Sequence, residues 1–311
     1  MKAIGLISIV MTLVGCAGFQ KTEYTLSWTP QDAGIEYVEL DDETTLRYLH
    51  AGEGPPLVLI HTIRTQIDYF QNLITPLSRH FSVYAIDLPG HGYSSIGKVD
   101  YTEAYYREVV IKFIRHLQLE DVTLVGESIG GVLVLSVAAN LPSHIKRVYT
   151  LNPYDYGKHY GGGIRRSSVW GSVIVGSFGM PVIGAVSSRM ENKFFLRKVL
   201  QGGLVEPDNL PPQLLAEFNN VGHRPGYRHV ERSTFKHWRS WVAARAYYGQ
   251  ITVPVTLLYG EHDWSYPEER AATHAMIAGS KMVTLAGAGH FATLEAADEI
   301  GRIIIADTHG M

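Results

Sequence analysis

From Ile35 onward, short apolar runs alternate with stretches of helical spacing. IEYVEL and TTLRYLHAG alternate apolar and polar residues around an Asp41-Asp42-Glu43 turn, which predicts a β-hairpin. PLVLIHT is apolar as far as His61, the pattern of a strand covered on both faces. A helical pattern runs from about Gln66 to Ser78, and the strand FSVYAIDL follows. Tyr101 to Leu119 again has helical spacing, and VTLVGES reads as the next buried strand. Ser128 to Asn140 is apolar nearly all round, so it predicts a central helix, stopped before Pro142. IKRVYTLN is a further strand. After about residue 154 the alternation lapses, and it resumes at VPVTLLYGEHD. A helix opening at Pro267-Glu268-Glu269, a strand KMVTLAG and a last helix from about Ala292 to Ile305 complete the pattern. Proline followed by two acids suits the unpaired donors and positive dipole of a first helical turn.

Buried strands alternating with helices imply an α/β fold, a mostly parallel central sheet flanked by helices on both faces. The pattern divides the chain into a core of residues 34–154 and 246–311 and a helical lid, 155–245, inserted after the sixth core strand.

Composition adds little until it is divided. The 311 residues are 46% hydrophobic and 18% charged, ordinary globular values with ample length for a large core. The formal charge of −3 gives no general reason to expect nucleic-acid binding. Its distribution is uneven: residues 155–245 carry a balance of +7 and the remainder −10. Solvated lid helices explain this as well as attraction of an anionic substrate or lipid headgroups does. Ser167 to Ser188 holds no charged residue and approaches the length of a membrane span. Pro181 and several glycines and serines favour a pair of apolar lid helices broken near Gly179-Met180-Pro181.

The start, MKAIGLISIVMTLVGCAGF, has a basic head at Lys2 and an apolar run from Ala3 to Val14. The run is too short to span a bilayer as a mature helix and reads as an export signal, residues 1–15. Leu13-Val14-Gly15-Cys16 resembles the bacterial lipobox, which implies cleavage before Cys16 and acylation of its thiol. An ordinary secretory signal with an incidental cysteine is the competing reading. In the first case residues 16–33 form a tether, Cys16 is the lipidation site, and no second thiol exists for a disulfide. The expected partner is then a membrane, reached through the lipid anchor, in a bacterial cell envelope. Ala17 rather than Asp after the cysteine points to the outer membrane in a host with two.

The stretch GESIGG puts Ser128 between Gly126 and Gly130, after a predicted strand and before a predicted helix. A serine hydroxyl is a poor nucleophile until a base takes its proton and an acid orients that base. Two candidates lie just beyond later strands: Asp263 after VTLLYG and His290 after VTLAG. Their order along the chain, Ser, Asp, His, is the order this chemistry takes on such a sheet. His262 competes with His290 but adjoins the acid, and Asp155, after the sixth strand, is a reserve acid.

With DLPGHGYS (Asp87 to Ser94), GESIGG, GEHD and GAGHF, the chain resembles the α/β-hydrolase-fold family over about residues 35–306. The resemblance implies an α/β-hydrolase fold, Ser128 as nucleophile, His290 as general base and later acid, and Asp263 as its orienter. Serine at 128 argues against haloalkane dehalogenase and epoxide hydrolase chemistry, since those relatives carry aspartate there. Esterase, lipase, carbon–carbon hydrolase, perhydrolase and acyltransferase activities remain open, as does a non-catalytic ligand binder. The ester reading is the one expected, on a small to medium apolar substrate.

One departure stands out. Family members commonly have His-Gly after the third strand, and here Thr62 replaces that glycine. Backbone donation needs no particular side chain, so the N–H groups of Ile63 and Ile129 are the expected oxyanion hole. Thr62 either narrows that hole or adds its hydroxyl. Arg64 either holds a substrate carboxylate or pairs with an acid such as Asp68. Gly90, His91 and Gly92 read as a structural turn, and Asp87 as the group that orders it. No spacing of metal ligands and no phosphate-binding glycine loop stands out, so no metal or cofactor is expected. Nothing in the pattern speaks to oligomeric state.

Overall fold

The computed structural model describes residues 28–30, 32–157, 162–167 and 193–309. The hairpin is formed by β1 (Gly34–Asp41) and β2 (Thr44–Ala51), antiparallel, with Asp41 opposite Thr44. There follow β3 (Pro56–Ile60), a 3-10 turn (Ile67–Phe70) leading into α1 (Gln71–Leu77), β4 (Ser82–Ile86) and α2 (Glu103–His116). Next come β5 (Val122–Glu127), α3 (Ile129–Asn140) and β6 (Ile145–Leu151). Beyond β6 the described residues are helical: α4 (Ile164–Ser167), α5 (Lys193–Gln201), α6 (Pro212–Gly222), α7 (Tyr227–Lys236) and α8 (Trp238–Ala243). A 3-10 stretch continues from Ala244 to Gln250 and seats the buried Tyr248 in the core. The chain then returns as β7 (Val255–Gly260), α9 (Pro267–Met276), β8 (Lys281–Leu285), α10 (Ala292–Glu295) and α11 (Ala297–His309).

The eight strands make one sheet in the order β1-β2-β4-β3-β5-β6-β7-β8. Only the contacts of β2 with β1 and β4 are antiparallel, and the rest of the sheet is parallel. The period-two pleat sorts side chains between two cores. Leu57 and Leu59 of β3 pack on one face with Leu73, Leu77 and Ile304, while Val58 and Ile60 pack on the other with Val110, Val132 and Leu135. All residues of β5 and β7 are buried, which is why both read as chiefly apolar runs without alternation. α3 is buried from Ile129 to Ala138, matching its all-round apolar surface.

Two helices differ from expectation. The Gln66–Ser78 pattern opens as a 3-10 turn, whose first N–H, that of Ile67, donates to the Asp87 carboxylate at 2.9 Å. The last helix breaks at Ala296 (φ −131°, ψ 27°). There the Glu295 side chain turns aside to accept from the N–H groups of Gly289, Val205 and Glu206 at 2.7, 2.8 and 3.0 Å. The signal segment, Cys16, the tether up to residue 27 and the uncharged run from 168 to 188 lie outside the described residues. Where the tether region is described, Trp28 donates its indole N–H to Asp68 at 3.0 Å.

Candidate active site

Ser128 sits in the one-residue gap between β5 and α3, with φ 59° and ψ −116°. A left-handed φ costs a non-glycine residue roughly 1–2 kcal/mol, so the surroundings must enforce it. They do so by crowding. A Cβ on Gly126 would lie 2.3 Å from the carbonyl oxygen of Gly130, and one on Gly130 would lie 2.2 Å from that of Ile60. Both positions therefore exclude any side chain. Backbone bonds fix the bend further: Ser128 N–H donates to Leu151 (2.9 Å), and its carbonyl accepts from Val132 and Tyr154 (both 3.1 Å).

The loops after β7 and β8 bring Asp263 and His290 to this serine. His290 Nε2 is 3.0 Å from Ser128 Oγ, and His290 Nδ1 is 2.5 Å from Asp263 Oδ1. All three residues are buried. The other carboxylate oxygen of Asp263 accepts from the Ser265 amide at 3.0 Å and from the Ser265 hydroxyl. Burial opposes ionisation of Asp263, but His290 and the two Ser265 donors outweigh it and hold the carboxyl below its ordinary value. Trp264 lies flat on the His290 ring, with centroids 3.8 Å apart and planes at 10°. Asn152 steadies the same loop by donating to the carbonyls of Gly289 (3.0 Å) and His290 (2.9 Å). A carboxylate, an imidazole and a hydroxyl in this line can move a proton off the hydroxyl.

The alternatives are placed elsewhere. His262 is exposed, with Nε2 3.8 Å from Glu261. Asp155 accepts from the Thr273 hydroxyl at 2.8 Å. Its burial pushes the carboxyl up to about 6. Asp87 receives N–H groups from Ile67 and Tyr93 and an ion pair from Arg47, at 2.8–2.9 Å, and so orders the loop that follows β4. Burial lowers His61 to about 4 and His91 to about 3. Neutral His61 bridges two strand ends, its Nε2 accepting from Leu88 N–H at 2.9 Å.

Ile63, Ile129, Thr62 and Arg64 line one pocket with Ser128 and His290. Ile129 begins α3, where helix N–H groups lack intrahelical acceptors. The remaining walls are chiefly apolar, among them Phe195, Leu196 and Leu200 of α5 and Phe235, Trp238 and Trp241. The pocket is a narrow slot, with a cavity volume of about 70 Å³. The Thr62 hydroxyl is buried and unpaired among the described residues. The Asp68 carboxylate accepts from Trp28 and, at 2.7 Å, from Gln66. Arg64 meets Glu231 of α7 at 3.6 Å, and its guanidinium lies over Tyr227. No local spacing could announce that pairing.

Sequence reading passed over Ser265, Trp264, Asn152 and Glu127. The first had a signal, since Asp-x-Ser is a turn in which the acid accepts from the residue two ahead. Glu127 had one too, being an acid within an apolar strand. It is fully buried at the end of β5. Its carboxyl accepts from Tyr69 and Thr293 hydroxyls at 2.5 and 2.6 Å. Burial raises its pKa from 4.5 to about 7, although those hydrogen bonds favour the ion. The folded state therefore keeps a proton that the unfolded chain has released between about pH 4.5 and 7. Stability from this group is greatest below 4.5, falls by about 3 kcal/mol as pH rises to 7, and is then flat. Glu127→Gln lacks that slope, so melting curves at pH 5 and pH 8 should show wild type losing several degrees relative to the variant. A pH-independent difference excludes the raised pKa.

Residues 55–297 match the family described as alpha/beta hydrolase fold. The (E)-2-((N-methylformamido)methylene)succinate hydrolase of Acinetobacter baylyi is 34% identical over 115 residues, 37% of this chain and 44% of that protein. A haloalkane dehalogenase of Mycolicibacterium paratuberculosis is 34% identical over 114 residues, 35% of this chain and 38% of that one. Both matched stretches span less than half of the relative's length. Among solved structures, the naproxen esterase (carboxylesterase NP) of Bacillus subtilis superposes with a TM-score of 0.73 at 19% identity, over 91% of this chain and 94% of the esterase.

Proposed function

Because this chain belongs to the alpha/beta hydrolase family, we propose that it is a serine hydrolase cleaving a carboxylic ester, or a related acyl bond, of a small to medium apolar substrate. The observation that carries this reading is the unbroken line from Ser128 Oγ through His290 to Asp263, at 3.0 and 2.5 Å. Ser128 attacks the carbonyl carbon while His290 Nε2 takes its proton. Asp263 holds the ring with Nδ1–H towards itself and stabilises the imidazolium that forms. The N–H groups of Ile63 and Ile129 receive the oxyanion, with the unpaired Thr62 hydroxyl beside them. His290 then protonates the departing alcohol, leaving an acyl group on Ser128. Water, deprotonated by the same imidazole, releases the acid.

The slot's apolar walls favour an acyl or alcohol part that is slim and without charge. The segment between β6 and β7 acts as a lid in this reading, since its helices α5 and α7 supply much of the wall over Ser128. The export signal and lipobox pattern support a further proposal, that the mature chain begins at Cys16 and is held by a lipid anchor in a bacterial envelope. The test of activity is a panel of p-nitrophenyl esters of rising acyl length. Turnover is expected, falling away once the chain outgrows the slot. Absence of turnover at every length, together with an inert Ser128 towards a fluorophosphonate probe, would leave a ligand-binding protein on a hydrolase scaffold.

A further inference from the structure

We propose that Glu127 is a positioning residue for the hydrolase chemistry: it ties the loop carrying His290 to the strand carrying Ser128, and so sets the reach of the imidazole to the hydroxyl. This rests on the hydrolase reading above. Glu127 is covalently joined to Ser128 and has no exposed surface. Its carboxyl takes two bonds from one residue across the site: Thr293 donates its hydroxyl at 2.6 Å and its N–H at 3.4 Å. Thr293 lies three residues beyond His290, in α10. A third donor, the Tyr69 hydroxyl, arrives at 2.5 Å from the 3-10 turn before α1. The Tyr69 ring also meets the edge of Phe291, the residue next to His290, at a centroid distance of 6.3 Å. One carboxyl thus joins three separate segments behind the Ser128–His290 contact.

The other ties on the His290 loop run elsewhere. Asn152 fastens it to the ends of β6 and β7, and Glu295 fastens it to the chain near Val205. Glu127 alone among these three belongs to the nucleophile's own strand. Among the described residues no cation pairs with it, and its donors are hydroxyls and an amide. A buried acid without a cation is a costly way to fill space in a strand. It is an effective way to hold a neighbouring loop, because one carboxyl accepts several donors at once. The requirement it serves is strict: proton transfer needs heavy atoms about 2.6–3.2 Å apart, and a shift of about 1 Å costs on the order of 100-fold.

The experiment uses the full chain as wild type, Glu127→Gln, Thr293→Val, the double variant and Thr293→Ser. It reads fluorophosphonate labelling of Ser128, and kcat and KM on the best p-nitrophenyl ester. Glutamine at 127 can turn its carbonyl oxygen to the two hydroxyls, which share Oε2, but then sets its NH2 against the Thr293 N–H, and valine at 293 removes the hydroxyl. Each should lower labelling and kcat by roughly 10- to 100-fold with KM within about threefold. The double variant should be no slower than the slower single, because both cut the same tie. Thr293→Ser, which keeps both donors, should return to within about threefold of wild type. Wild-type labelling by Glu127→Gln, or losses that multiply in the double variant, overturn the tie. If Glu127→Gln does not fold, equal rates for Thr293→Val and Thr293→Ser overturn it instead. A wild-type protein that does not label at all overturns the hydrolase reading, and the tie with it.

Discussion

Ser128→Ala should abolish ester turnover while leaving the fold in place, with kcat lower by about 10⁶-fold. The loss is this large because the hydroxyl supplies the bond-forming electron pair, and neither His290 nor the oxyanion donors replace it. The residue that remains is binding alone, so the variant should still take up substrate with little change in affinity. Stability should hardly move. Alanine suffers the same left-handed backbone as serine, and among the described residues the lost oxygen hydrogen-bonds only to His290 Nε2. Matched preparations, compared by ester hydrolysis, fluorophosphonate labelling and thermal melting, decide the point. Turnover above about 1% of wild type in a clean preparation would mean that the nucleophile lies elsewhere.

Asp263→Asn should lower kcat by about 10⁴-fold, through the wrong tautomer rather than through lost packing. In the native arrangement Oδ2 faces the Ser265 N–H, a donor that cannot reverse. An asparagine must therefore point its carbonyl oxygen at Ser265 and its NH2 at His290. Two donors cannot face each other, so the imidazole must present a bare Nδ1 and carry its proton on Nε2. That proton then points at Ser128 Oγ, which sits 3.0 Å away, and the ring can no longer act as a base. Steady-state kinetics on the same ester checks this against wild type. A loss of less than tenfold would shift the orienting role to another acid, and Asp155, buried against Thr273, is placed to be examined first.

What could be seen in the sequence follows from how local its cause is. β3, β5 and β7 are legible because each is covered on both faces, so the runs are chiefly apolar and do not alternate, with Thr123, Glu127 and Thr256 as the polar exceptions. Ser128, Asp263 and His290 are legible because each follows directly on a strand or a short loop after one, where a parallel sheet gathers its functional side chains. Gly126 and Gly130 are legible as glycines that tolerate a sharp strand-to-helix turn, but the atom that crowds Gly130 is not, since it is the carbonyl oxygen of Ile60 on a different strand. The kink between α10 and α11 was hidden for the same reason, since Glu295 abandons its helix for amides some 90 residues earlier. Arg64 lines the pocket, yet a charge that meets it comes from α7, far along the chain. Distant partners leave no periodicity behind.

The indole of Trp264 stacked on His290 has a consequence for the instant of reaction. A neutral imidazole gains little there beyond dispersion. Once the ring has taken the serine's proton it is a cation resting on an electron-rich face, an attraction of about 0.5–2 kcal/mol. The indole also blocks one face of the ring, so the loaded imidazole cannot tip towards that side.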